Sequence, residues 1–413
     1  MSTETESVAP TEDTRSPLRR LFTSRSFVAL FVSNALGFGG EQMRLAAQSW
    51  WILDAGGSKT EMGLAAGLRV IPVVIITLYA GVLIDRVGAK RILVLDQAIL
   101  ILLAAITGLI MLLDQVQVWH IVVLSTIAGS TIALGAPSRQ SLVPEVVPKE
   151  LLLQANSMNQ FGSALGRSLG PLAAGALIAM RSAALALFGL AVVYGTALIA
   201  TLNISARGKR KTPSTDSAFS QIISGLSYVR RNPVLLWTLI SAGSAVFLGM
   251  IFPIIPVYAR DVLEVGEVKF GWMWAAVAVG QAMGALAIAS KGGFPRKSVN
   301  LVVGAGVFGS GLIGFGLSEI YLLSLAFLFL LGLGIPLILT SWATLLQEYS
   351  EDEYRGRVMA VFAIATQGVS VGWLLGGYLL DAIGNFPTVV AAVAGSLGII
   401  LFAIVASRDF RRV

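Results

Sequence analysis

Glu41, Arg44, Arg69 and Arg167 stand inside long apolar runs of this 413-residue chain. A charge at membrane depth costs at least about 2.5 kcal/mol on insertion scales, so each points to function. Glu41 and Arg44 share a helix face at i and i+3, and counting from Phe27 puts Glu41 about 21 Å into its run. Arg69 reaches a similar depth from Thr60, and Arg167 lies in the middle to outer part of the fifth run. Within the runs, one acid therefore faces three arginines. A carboxylate that changes environment can load and release a proton, whereas a guanidinium cannot. Glu41 is the candidate for proton coupling, and a static pair with Arg44 or Arg69 is the equal alternative. If Arg69 and Arg167 face a cavity, their surplus charge suits an anionic or polyphenolic ligand. The other reading bonds them to helix carbonyls or to Asp54 and Asp114.

Other polar or aromatic residues in or beside the runs could line such a cavity with Arg44, Arg69 and Arg167. They are Asn34, Gln48, Asn159, Gln160, Ser163, Gln281, Trp342 and Gln367. For each the competing reading is packing between helices. Pro253 and Pro256 mark a kink in the seventh run that could act as a gate. His120, the single histidine, follows Trp119 and reads as an interfacial anchor rather than a proton relay. Paired carboxylates, a metal-spaced histidine cluster, a nucleophile elbow and a Walker loop are all missing from the sequence. No enzyme, metal or cofactor is expected, and no cysteine is present for disulfides or thiolate sites.

The elements that must hold these residues are membrane helices. The chain is 55% hydrophobic and 13% charged, with a mean hydropathy of +0.79. No ordinary soluble domain has that composition. A membrane helix needs about 20 mainly apolar residues. Twelve such runs recur at 27 to 53, 60 to 83, 91 to 113, 118 to 137, 152 to 180, 182 to 204, 234 to 259, 269 to 289, 298 to 317, 319 to 343, 356 to 380 and 387 to 406. The expected fold is an all-α membrane protein of twelve transmembrane helices. If the N-terminus is cytoplasmic, 23 of the 30 Lys and Arg fall on that side, which places both termini inside the cell membrane. The net charge of +7 then follows from topology and calls for no nucleic-acid partner.

Residues 1–26 read as a disordered cytoplasmic tail, 27–204 as a six-helix N-terminal half, and 233–413 as a six-helix C-terminal half. Between them, 205–232 reads as a cytoplasmic linker, with Ile222, Ile223, Leu226 and Val229 spaced as an amphipathic helix. Ser141-Leu142-Val143-Pro144-Glu145 is echoed by Thr344-Leu345-Leu346-Gln347-Glu348, which suggests two pseudo-symmetric halves around a midplane cavity.

Gly81-Val82-Leu83-Ile84-Asp85-Arg86-Val87-Gly88-Ala89-Lys90-Arg91 resembles the loop between the second and third spans of the major facilitator superfamily, with Ala89 where a basic residue is usual. The resemblance implies a role for Gly81, Asp85, Arg86 and Gly88 in gating one end of an alternating-access cycle. Lys291-Gly292-Gly293-Phe294-Pro295-Arg296-Lys297, the equivalent in the second half, has no acid, so gating contacts should be asymmetric. Gly166-Arg167-Ser168-Leu169-Gly170-Pro171-Leu172-Ala173-Ala174-Gly175 resembles the glycine-proline motif of that superfamily's antiporters. It implies export and adds Gly170 and Pro171 to the gating set; packing without directional meaning is the alternative. Pro137-Ser138-Arg139-Gln140-Ser141-Leu142-Val143-Pro144-Glu145, Asn156 and Arg355-Gly356-Arg357-Val358-Met359 are similar to the bacterial exporters that include the enterobactin exporter and macrolide efflux proteins. They add Arg139, Arg355 and Arg357.

The expected activity is secondary active export of a small amphiphilic molecule, siderophore-like or drug-like, by proton antiport and without a cofactor other than the proton gradient. A facilitator or importer of a metabolite is the alternative, and a non-transporting receptor a remote one. The family default is a monomer in the bilayer.

Overall fold

The computed structural model describes residues 17–180, 183–205, 218–291 and 296–412, and these are helical with no strand among them. Bilayer physics accounts for that, since a helix satisfies its backbone polar groups within one segment. The first span is a single helix, Arg25–Asp54, begun by the Ser24 hydroxyl, which accepts from Phe27 N. The second is started by a Ser58/Glu61 capping box and comes in two pieces, Lys59–Gly67 and Val70–Val87. Gly88, at φ +97°, is then the whole connection to the third span, Ala89–Leu112. That backbone angle requires glycine. The fourth span is Val118–Ser130 continued by Ile132–Val146, the fifth Leu152–Ala179, and the sixth Ala183–Leu202.

An amphipathic helix, Ala218–Arg231, precedes the seventh span. That span is in three pieces, Pro233–Ala242, Ala245–Gly249 and Ile251–Asp261. Its second break falls at Met250, just before Pro253 and Pro256, which have no N–H to give to Gly249 and Phe252. The remaining spans are Glu267–Lys291, Lys297–Leu317, Tyr321–Glu348, Asp352–Thr366 with Gly368–Ala382, and Asn385–Ala406.

Among the described residues, ten stretches are apolar and long enough to cross a membrane. The first and fifth helices have the length, at 30 and 28 residues, but carry the polar side chains. They lie against each other, and a methyl group on Gly39 would sit 3.3 Å from Gly166 Cα. The contact between these two spans also brings Asn34 and Ser163 together.

The N-terminal segment is ordered earlier than expected. Pro17–Thr23 is helical, and Leu21 is buried with Phe27 and Leu30 because those apolar side chains have a groove to fill. Residues 1–16, the basic run 207 to 211 and residues 292–295 lie outside the described residues.

Because the spans alternate in direction, Arg25, Val87 and Asp352 lie at the end bearing the termini, the near end, and Lys59, Ala179, Asp261, Glu267 and Ala382 at the far end. The close approaches between the halves fall at the far end. A methyl on Gly63 would meet the Trp373 carbonyl at 2.7 Å, and one on Gly271 the Pro171 carbonyl at 3.0 Å. Polar contacts finish the seal. Lys59 Nζ reaches Asn385 Oδ1 at 2.8 Å and Asp261 Oδ2 at 3.3 Å, while Asp381 Oδ2 accepts from Thr60 N at 2.8 Å and Thr60 Oγ1 at 2.6 Å. At the near end the amphipathic helix docks on the eleventh span, with Tyr228 stacked on Tyr354 at 4.4 Å and Ser224 accepting from Arg357.

Candidate functional site

The first helix sets Glu41, Arg44 and Gln48 on one face at steps of three and four. Arg44 grips Glu41 with two bonds, Nε to Oε2 at 3.1 Å and Nη2 to Oε1 at 2.9 Å, and Gln48 with a third at 2.8 Å. Ser125 from the fourth span also donates to Gln48 Oε1, at 2.6 Å. Arg69 stands at the break in the second span and pairs with Glu41 as well. Gly129 makes room for its stem, since a methyl there would lie 2.8 Å from Arg69 Cβ. Both static pairs that the sequence left as alternatives to proton coupling are present at once.

Arg69 also faces the other half. Its guanidinium lies 4.3 Å from the ring centroid of Trp373 on the eleventh span, and Trp373 stacks on Phe252 of the seventh. The charge cluster of one half therefore rests on an aromatic cluster of the other.

Towards the near end lies a second pair, Arg139 Nη2 to Asp96 Oδ2 at 3.4 Å. Asp96 is 4% exposed. It corrects the expected count: the spans hold a second acid, Asp96, buried where the third and fourth helices meet, and a fourth arginine, Arg139, which pairs with it. The sequence signal for Asp96 is its place as an acid inside the apolar run 91 to 113. Arg139 lines a cavity of about 210 Å³ with Asn34, Phe38, Asn159, Gln160 and Ser163. Asn34 Nδ2 donates to the Asn159 carbonyl and to Ser163 Oγ, both at 2.8 Å. Four residues picked from sequence, Asn34, Asn159, Gln160 and Ser163, are thus brought together.

Arg167 has no acid or hydrogen-bond acceptor among the described residues, and its guanidinium lies 5.3 Å from the Phe38 ring centroid. Gly166 and Gly170 face the first helix, and Pro171 and Gly175 face the eighth. At 100° per residue, Arg167 falls between those faces and points at the gap between the halves.

The other candidates lie apart. Arg44 and Gln48 are enclosed by N-terminal-half helices, and Trp342 is fully buried in the C-terminal half beside Phe362. Gln281 is half-buried on the eighth span, and Gln367 occupies the break in the eleventh. Gly81 is helical, and Asp85 and Arg86 have no ion-pair partner among the described residues. Lys90, by contrast, closes the C-terminus of the sixth helix by donating to the Leu202 and Ile204 carbonyls. Arg355 pairs with Asp352, and Arg357 holds the amphipathic helix. Gly170 leaves room for Gly39 and Met43. His120 Nδ1 accepts from Gln117 N, so it caps the fourth span.

A model described as the Major Facilitator Superfamily matches residues 30–371. The multidrug efflux pump Tap of Mycolicibacterium fortuitum is 25% identical over 93% of this chain and 96% of its own length. The staphyloferrin A transporter of Staphylococcus aureus is 22% identical over 90% of this chain and 91% of its own. A bacterial homolog of the human lysosomal transporter Spinster superposes with a TM-score of 0.74 at 14% identity, covering 95% of this chain and 98% of that one. The chain belongs to the Major Facilitator Superfamily; it is a multi-pass membrane transporter and not an enzyme.

Proposed function

We propose that this member of the Major Facilitator Superfamily exports small amphiphilic molecules of the drug or siderophore class by proton antiport. The observation that carries this reading is one arrangement: halves joined at the far end, a polar cavity towards the near end, and Glu41 linked through Arg69 to the interface. The positive-inside asymmetry supports cytoplasmic termini in a bacterial cell membrane, with the near-end cavity facing the cytoplasm, where an exporter loads. Protonation of Glu41 would release Arg69 from its carboxylate and change the charge resting on Trp373. The far-end seal then has two states that a proton can bias. Arg167 is the cation available to an acidic group in the cleft, and the family default of a monomer needs no further subunit.

Everted membrane vesicles test the direction. Acidifying their interior should drive uptake of an exported dye, and Glu41→Gln should abolish proton-driven uptake while dye binding persists. Uptake that ignores the gradient in the wild type would overturn antiport.

A further inference from the structure

The geometry points to the Asp96–Arg139 pair as an ion-exchange site, where a substrate carboxylate replaces Asp96 on Arg139 and Asp96 takes up a proton. It rests on the transport reading only in taking the ligand to be the cargo.

Arg139 has two faces. One Nη2 lies 3.4 Å from Asp96 Oδ2, a single long contact beside the bonds of 2.9 and 3.1 Å between Arg44 and Glu41. Its Nε has no partner among the described residues, and the side chain lines the 210 Å³ cavity. Two glycines shape the space around the pair. A methyl on Gly37 would come within 2.6 Å of Arg139 Nη2, and one on Gly135 within 2.5 Å of Asp96 Oδ2. Asn159 lines the same cavity, and both of its side-chain polar atoms are buried without a partner among the described residues. A carboxylate there can take Arg139 with one oxygen and the Asn159 amide with the other. Whole drug sites occupy roughly 300 to 1,000 Å³, so this cavity takes the acidic end of a larger amphiphile, with Phe38 as its apolar wall.

The proton follows from burial. Arg139 and Thr131 face Asp96 from the fourth span, Tyr194 from the sixth, and Glu41, a like charge, from the first. Once Arg139 turns to the ligand, Asp96 is an enclosed carboxylate without a cation. The exchange balances: one anion enters, one proton from water at the near end joins Asp96 Oδ1 or Oδ2, and the charge of the site is unchanged. An acidic cargo thereby travels with its own proton, separate from the one assigned to Glu41.

Benzoate serves as the probe and benzamide as its uncharged isostere, with binding to the purified full-length chain followed by saturation-transfer NMR. Benzoate stays ionised between about pH 8 and pH 6. Its affinity should rise up to roughly tenfold per pH unit as pH falls, with proton uptake on binding, and benzamide should show neither. Asp96→Asn should bind benzoate tightly and without pH dependence. The double variant Asp96→Asn, Arg139→Gln removes both charges together and should lose benzoate. Benzoate binding that ignores pH in the wild type, or that survives in the double variant, overturns the site. Glu41→Gln separates the two ideas, since it should lose proton-driven export yet keep the benzoate linkage.

Discussion

The Arg69 guanidinium bridges two halves of the molecule, pairing with Glu41 on one side and lying 4.3 Å from the Trp373 ring centroid on the other. A cation over an indole is worth roughly 0.5 to 2 kcal/mol, more where water is excluded. Trp373→Leu should therefore shift the equilibrium towards far-end opening by about fivefold. The chain has no cysteine, so spin labels at engineered cysteines on either side of the far end would report it without background. An unchanged distance distribution would deny Trp373 a part in the seal.

Close helix approach gives a second handle on the same seal. Gly63→Leu drives a side chain into the Trp373 carbonyl, which a methyl alone would meet at 2.7 Å. Overpacking of this kind costs about 1 to 3 kcal/mol. The far end should be held open, so that a membrane-impermeant thiol reagent labels cysteines placed along the second span much faster than in the parent.

Glu41 is the acid that pairs with both Arg44 and Arg69, and losing it leaves both without a carboxylate. Breaking a buried pair from one side costs about 3 to 5 kcal/mol. Glu41→Gln should lower the melting temperature well beyond Asp381→Asn, whose carboxylate is at the exposed rim. Equal melting temperatures would mean that the buried network adds nothing to stability.

At the near end, the parallel stack of Tyr228 on Tyr354, with Glu351 N donating to the Tyr228 hydroxyl at 3.2 Å, holds the amphipathic helix to the eleventh span. Stacked aromatic pairs add about 0.5 to 1.5 kcal/mol. Tyr228→Ala should raise the rate of trypsin cleavage at Arg230 and Arg231 several-fold, read on a gel. Cleavage at the parent rate would show that the stack does not hold the helix.

Much of the site was legible because hydrophobic runs make every charge within them conspicuous. Glu41, Arg44, Arg69 and Arg167 stood out in that way, and Asn34, Asn159, Gln160 and Ser163 followed as polar residues within or bordering the runs. Lys59 stands at the far end, apart from the near-end basic residues, and bonds Asn385 and Asp261 there. Trp373 and Phe38 gave no signal, because an aromatic residue in an apolar run is unremarkable until a cation lies over it.

Composition and apolar runs alone determined a helical membrane chain, since the bilayer admits few backbone arrangements and a 20-residue apolar run is a local property. Partner choice is not local. Glu41 could have served Arg44, Arg69 or neither, and only folding placed both on it, left Arg167 facing the cleft and gave Asp96 to Arg139. The physical reason is range: a run's transfer energy sums along the chain, whereas an ion pair depends on a few ångströms between helices far apart in sequence.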